Sequence, residues 1–178
     1  MFIGFLMEFY CYVWAIVIVY FVIKHISHGM GPKYRSNKID ITVLGSEQVV
    51  LNSYPGSIAQ IISQLILNSI NHAFEDQSNC QIKIRIEETF QRSEAMLRLI
   101  YSDNGSEMAL EIQEKIFEAF YTTKRANGGS GIGMALVYNL VTQRLGGYIE
   151  VKSEPGKGSR FDIVFPININ DTYIKKVV

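Results

Sequence analysis

The spacing of apolar residues changes several times along this chain, and each change marks an element. "QIKIRIEETF", from Gln81, alternates apolar and polar positions at period two, and "AMLRLIYSD", from Ala95, does so more loosely. Both predict strands, paired through the polar turn near Gln91. "IDITVL" and "QVVLNS" are strand-length runs on either side of Gly45 and predict a hairpin. From Ile58 to about Phe74 the period lengthens, with Ile58, Ile61, Ile62, Leu65 and Ile70 on one stripe and Ser57 placed to cap a helix. A shorter helix is predicted over Ile112 to Phe117, then a glycine-rich loop, then a helix from about Met134 to Leu145. "YIEVKS" and "RFDIVFP" close the pattern as two strands joined by the turn "EPGKG". No internal repeat is visible. This order predicts a two-layer α/β sandwich, a mixed sheet with helices on one face.

The first residues follow a different pattern. Residues 1–23 carry one charge, Glu8, and "FYCYVWAIVIVYFVI" runs unbroken from Phe9 to Ile23. With its flank, that length suits a helix crossing a hydrocarbon core. Lys24, Lys33, Arg35 and Lys38 follow with no Lys or Arg before, which would put the C-terminal side in the cytoplasm. One reading is therefore a membrane span, or an anchor at the inner face of the cell membrane. The others are a buried or partner-bound helix, or an incomplete gene start. A cleaved signal peptide fits poorly, because the basic n-region is absent. The organisation read from these shifts is an apolar segment 1–23, a polar linker 24–38, one domain 39–166 and a tail 167–178.

Composition narrows the function classes. Among 178 residues, 17 Lys and Arg balance 17 Asp and Glu, and no basic stripe with interleaved aromatics appears, so nucleic acid is not an expected partner. Cys11 and Cys80 are too few for a disulfide framework, and His25, His28 and His72 form no metal-ligand cluster.

Three stretches offer chemistry. At about 100° per residue, Gln64, Asn68 and Asn71 fall on one stripe of the first long helix, with His72 at its edge. Such a stripe is either a solvated face or a Mg²⁺–phosphate site, in which an amide oxygen completes the octahedron of a cation. Gly128, Gly129, Gly131 and Gly133 precede a helix, where backbone can approach phosphate, although glycine loops before helices are common. Asp103 ends a strand ahead of Asn104 and Gly105; it forms an Asx turn, or accepts from an exocyclic amine and so selects adenine over guanine.

The blocks "QLILNSINHAF", "DNGSEM", "IFEAFYTTK", "GGSGIGMALV" and "GGYIEVKSEPGKGSRFDIVFP" stand in one order. In that order the chain resembles the ATP-binding catalytic domain of sensor histidine kinases. That domain belongs to the superfamily it shares with DNA gyrase, the large heat-shock chaperone and a mismatch-repair ATPase. The resemblance covers about Ile39 to Pro166 and implies a Bergerat-type fold with ATP and Mg²⁺ as cofactors. It implies that Asn68 ligates Mg²⁺ and that Asn71 and His72 lie near the nucleotide. Asp103 would read adenine over the turn at Gly105. Phe117, Phe120, Thr122, Thr123 and Lys124 would form a short lid, with Lys124 on a phosphate. Gly129, Gly131 and Gly133 would cradle the phosphates. Hydrolysing members of the superfamily carry a Glu one turn before the Mg²⁺ ligand, where this chain has Gln64, an amide that cannot act as a base near neutral pH. ATP is thus implied as phosphoryl donor to a histidine domain in trans, with a response regulator as indirect partner.

Two departures stand out. The second glycine of "DxGxG" is Glu107; a carboxylate ~8 Å from a phosphate costs on the order of 2 kcal/mol at an effective dielectric of about 20. A left-handed backbone there would add ~1 kcal/mol of strain. The alternative is that Glu107 turns outward to water at little cost. The family's acceptor motif "HExxxP" is also missing, and "ISHGMGP" puts His28 in the wrong spacing. The acceptor is then expected on another chain, or the chain is a truncated kinase remnant. A degenerate ATP-binding module acting through protein contacts is the alternative function. A serine kinase of the anti-sigma type fits the closing strands poorly. Without dimerisation helices, the soluble part is expected to be monomeric.

Overall fold

Ile82, Ile84 and Ile86 are buried while Lys83 and Arg85 between them are exposed, and that alternation sets the dry side of the sheet. In the computed structural model, which describes residues 12–14, 39–45, 49–74, 78–125 and 129–168, seven strands and three helices are assigned. They are β1 (Tyr12–Trp14), β2 (Ile39–Gly45), β3 (Val50–Asn52), α1 (Pro55–Asn68), β4 (Cys80–Gln91), β5 (Glu94–Asp103), α2 (Leu110–Lys115), α3 (Gly133–Asn139), β6 (Tyr148–Glu154) and β7 (Gly158–Pro166). Single π-helical turns, Ser69–Ala73 and Leu140–Arg144, continue α1 and α3.

The main sheet has the order β2-β4-β5-β7-β6. β4–β5, β5–β7 and β6–β7 are antiparallel, and β2–β4 is parallel, so the sheet is mixed, as the sequence pattern predicts. The turn between β4 and β5 falls at Arg92 and Ser93, both with positive φ. The hairpin predicted across Gly45 is not formed. β2 pairs in parallel with β4, Ile39 opposite Cys80, while β3 pairs with β1 in a separate two-stranded sheet. Parallel neighbours need a crossover, and α1 lies in the connection from β2 to β4. Gly45 ends β2 against β4, where a Cβ would meet the Ile86 carbonyl at 2.4 Å.

α1 starts earlier than the sequence pattern predicts. Tyr54 is its N-cap and Pro55 its first residue, so Ser57 lies inside the first turn rather than capping it. Proline suits that place, since its φ is preset and its missing N–H would have no helical partner there. The apolar stripe is as read: Ile58, Ile61, Ile62, Leu65 and Ile70 are all buried, together with Ile66. They meet Ile82, Ile84, Leu97, Leu99, Phe161 and Ile163 from the sheet and Val137 and Val141 from the α3 side in one core. The other sheet face mixes buried Met96, Ile100 and Val164 with an ionic group, Asp162 accepting from Arg98 Nε at 2.7 Å and from Arg160 Nε at 2.8 Å.

Of the apolar segment 1–23, only 12–14 is described, as a strand where the pattern suggested helix; the rest, and the linker 24–38, lie outside the described residues. Among the described residues no helix is long and apolar enough to cross a membrane. Past Pro166, Ile167 is still buried and Asn168 bridges to Asn52.

Leu65 is fully buried at the centre of this packing. Leu65→Ala should lower the free energy of unfolding by about 2–5 kcal/mol, as large-to-small core changes do. Denaturant titration checks this, and a loss well under ~1 kcal/mol would mean that the core is not built around α1.

Candidate functional site

α1 does not end at Asn68; it widens. Over Ser69–Ala73 the backbone bonds run five residues back, with Phe74 N donating to Ser69 O at 3.0 Å. Such wide turns recur at functional sites. This one turns the carbonyl of Ala73 to the loop after β5, where it accepts from Ser106 N at 2.9 Å. Gly105 sits so close that a Cβ there would lie 2.3 Å from the Ala73 Cβ and 2.6 Å from its carbonyl oxygen. Only a residue without a side chain fits.

That contact delivers the end of β5 to the end of α1, and Asp103 lies at the junction. It is 4 % exposed. Its Oδ2 accepts from Ser69 Oγ at 2.7 Å, and its Oδ1 accepts from Gly105 N at 3.0 Å and Ser159 N at 3.3 Å. Burial raises the Asp103 carboxyl above its ordinary range, and these three donors pull it back. Asn104 holds the loop from the other side. Its Oδ1 accepts from Gln81 N at 2.7 Å, and its Nδ2 donates to Asn79 O at 2.8 Å. Beyond the loop, Gln113 of α2 pairs with the backbone of Ser153 in β6 through both amide atoms, at 2.9 and 3.1 Å.

In front of this junction is a cavity of about 510 Å³, in the range of small-molecule pockets. Asn68, Asn71 and His72 of α1 and its wide turn line one wall, and Thr122, Thr123, Lys124, Gly129, Gly131 and Gly133 line another. Gln64, Ser159 and Glu107 also face it. Asp103 and Gly105 stand behind the wall, through Ser159 and Ser106. The residues singled out from sequence are therefore brought together. Phe117 and Phe120 are outside the wall: Phe117 packs on Tyr138 with centroids 5.7 Å apart, and Phe120 is exposed. Gly128 lies outside the described residues.

The lid segment rests on the end of α1. Lys124 Nζ donates to the Asn71 carbonyl, and Thr123 Oγ1 is 3.3 Å from His72 Nδ1. The glycines have a further duty beyond lining the cavity. Gly131, with φ +68°, has the lid backbone where its Cβ would be, with Phe120 C at 2.5 Å and Tyr121 O at 2.7 Å. A Cβ on Gly129 would meet Thr122 Oγ1 at 2.7 Å, and one on Gly133 would meet Gln64 Oε1 at 2.7 Å. Phe120, whose N donates to Gly131 O at 3.0 Å, is left-handed at φ +66°, a strained state for a bulky residue.

Glu107 is exposed, and its φ is not positive, so the backbone strain expected from its replacing a glycine is absent. Among the described residues no three His, Cys, Asp or Glu side chains gather as a metal cluster.

Sequence reasoning missed Ser69, Tyr101 and Ser159. The helical period contained a signal for the first: Ser69 falls within about 60° of Ile62 and Leu65, a polar residue on the apolar stripe.

Comparison with known proteins bears on this site. The profile described as "Histidine kinase-, DNA gyrase B-, and HSP90-like ATPase" matches residues 54–169. The signal transduction histidine-protein kinase AtoS of Escherichia coli (strain K12) is 37% identical over 109 residues, 61% of this chain and 17% of that protein. The alginate biosynthesis sensor protein KinB of Pseudomonas aeruginosa is 30% identical over 137 residues, 76% of this chain and 22% of that protein. The chain thus spans about a fifth of the length of these curated relatives. The nucleotide-free catalytic domain of the histidine kinase ThkA superposes with a TM-score of 0.72 at 23% identity, over 88% of this chain and 95% of that one, which shows the fold.

The close approach at the junction should be visible in stability. Gly105→Ala is expected to destabilise the fold by about 1–3 kcal/mol, the usual cost of overpacking, read as a lower denaturant midpoint. An unchanged midpoint would contradict the contact with Ala73. For Asp103, a raised folded-state pKa means that the folded chain holds the proton more tightly than the unfolded one. Its contribution to stability is full below the ordinary 3.8 and is lost as pH rises through the raised value. Compared with Asp103→Asn, the wild type should lose ground as pH climbs from below 3.8 towards neutrality. A pH-independent difference in denaturant midpoints would show that the carboxyl is not desolvated.

Proposed function

Because this chain belongs to the histidine kinase-, DNA gyrase B- and HSP90-like ATPase family, we propose that its cavity holds Mg-ATP and presents the γ-phosphoryl group to a histidine on a separate domain. One observation carries this reading: amides, lid and glycine loop converge on a single cavity, with the buried Asp103 carboxylate directly behind its wall, bonded to Ser159 of that wall. The protein's own contribution is orientation and charge, which is most of what phosphoryl transfer asks of an enzyme. Asp103 accepts from the exocyclic amine of adenine. Gly105, kept bare by Ala73, lets the loop that carries Asp103 close against the end of α1. Asn68 offers an amide oxygen to Mg²⁺, and Asn71, His72, Thr122, Thr123 and Lys124 surround the phosphate end. Mg²⁺, when bound, neutralises phosphate charge and tethers the phosphates to α1.

Gln64 supports a donor role over rapid hydrolysis, since its amide, packed near Gly133, cannot deprotonate water. The amine of Lys124, docked on the Asn71 carbonyl, is within the cavity wall and is released to a phosphate when that bond is exchanged. Partners of this reading are a phosphoacceptor histidine domain and, through it, a response regulator. Among the structural neighbours, ThkA in a second crystal structure, at a TM-score of 0.69, is in complex with the response regulator protein TrrA. The apolar run of residues 1–23 supports attachment at the inner face of a membrane, on hydropathy alone.

Calorimetry of the full chain with Mg-ATP should give a dissociation constant on the order of micromolar, and Asn68→Ala should weaken it at least about tenfold, ~1.4 kcal/mol. Mixed with the histidine-bearing helical domain of a related sensor kinase, the chain should transfer label from γ-labelled ATP to acid-labile phosphohistidine, and Asn68→Ala should not. Binding restored only by Glu107→Gly would identify a domain that keeps the fold and has lost its ligand. Transfer to serine would place the chain outside histidine phosphorylation.

A further inference from the structure

Behind Asp103 lies a line of hydroxyls that no contact with the cavity explains. Tyr101 and Ser69 are both fully buried. Tyr101 OH is 2.8 Å from Ser69 Oγ, and Ser69 Oγ donates to Asp103 Oδ2 at 2.7 Å. Neither residue lines the cavity. A serine has one hydroxyl proton, and here it goes to the carboxylate, so the Tyr101 hydroxyl must be the donor in its bond to Ser69. The protons therefore all point one way, from tyrosine to serine to carboxylate.

The backbone enforces the same sense. Gly105 N and Ser159 N both donate to Oδ1. A carboxylate accepts at about four lone-pair positions, and three are filled by these donors. One acceptor position remains, on Oδ2. No rotation of Asp103 turns a donor outward, because the side chain is gripped on both oxygens.

We propose that Ser69 and Tyr101 are positioning residues that set base specificity: they orient Asp103 and fix its proton direction, so that the site accepts a 6-amino purine and rejects a 6-oxo purine. This rests on the nucleotide reading above and deepens it. A 6-oxo base would bring a carbonyl lone pair against the one unfilled lone pair of Asp103. A site built around a required donor discriminates strongly against an analogue lacking it. In a freely rotating or protonated carboxyl group the hydroxyl could turn to meet the oxo group, and discrimination would fall. Substituting Ser69 removes the donor on Oδ2 and leaves the buried Tyr101 hydroxyl without its acceptor.

The test measures calorimetric affinities of the full chain for Mg-ATP, Mg-ITP and Mg-tripolyphosphate. ATP and ITP differ at position 6 of the base, and tripolyphosphate reports the phosphate end alone. In Ser69→Ala the ratio of ATP to ITP affinity should fall at least about tenfold, with tripolyphosphate binding within about twofold of wild type and Ser69→Thr restoring the ratio. Tyr101→Phe, which deletes one oxygen and keeps the ring, should lower the ratio about threefold; it serves as the deciding variant if Ser69→Ala does not fold. Equal weakening of ATP and ITP, or an unchanged ratio in a folded variant, overturns the proposal and leaves the network a structural one. Wild-type chain that binds none of the three overturns the nucleotide reading itself. Wild type that binds ATP and ITP alike overturns only the specificity claim.

Discussion

A carboxylate taken out of water is tolerated only when donors replace the water, and the replacements at Asp103 come from three separate parts of the chain. Ser69 belongs to the wide turn ending α1, Gly105 to the loop after β5, and Ser159 to β7. Each must be in place for the charge to be borne, so the requirement of one buried group welds helix, loop and sheet at the inner end of the cavity. Gly158 serves the same junction: with φ +72° it lets β7 pass where a Cβ would meet the Asp103 carbonyl at 2.1 Å. The rest of the cavity is hung from this point.

The outer wall is held differently. Thr123 and Lys124 meet the end of α1 through exposed bonds, and the glycine loop meets the lid by backbone proximity. Exposed bonds of that kind contribute little each, so the front of the site is the part free to rearrange while the back stays fixed. The cavity therefore has one rigid end, at Asp103, and one yielding end, at the Thr123–Lys124 segment.

Most of this arrangement was legible in the sequence because it rests on local rules. The period-two runs at Ile82–Ile86 and Leu97–Tyr101, and the stripe from Ile58 to Ile70, specify dry faces whatever lies opposite them. The order of the motif blocks located the cavity wall from Asn68 to Gly133. Besides the helix start at Pro55 and the strand at Tyr12–Trp14, the failures concern partners or departures from ideal period. β2 reads as a strand, but nothing in "IDITVL" says whether its neighbour is β3 or β4; α1, as a crossover, decides that. The widened turn at Ser69–Ala73 is invisible to a pattern with 3.6 residues per turn, and it is what brings Ala73 against Gly105. Ser69 was passed over because a small polar residue inside a helix is ordinarily unremarkable, and its partners, Tyr101 and Asp103, lie 32 and 34 residues away.

The two slots of "DNGSE" have had different histories open to them. At Gly105 a side chain would strike not only the Ala73 methyl but also its main-chain carbonyl. Trimming residue 73 to glycine would remove the first obstacle and leave the second, so no compensating replacement is on offer and the position is closed to drift. At Glu107 the backbone lies outside the left-handed region and the side chain is exposed, so no such barrier stands there. One slot of "GSE" thus excludes every side chain while the other, two residues on, admits a long charged one.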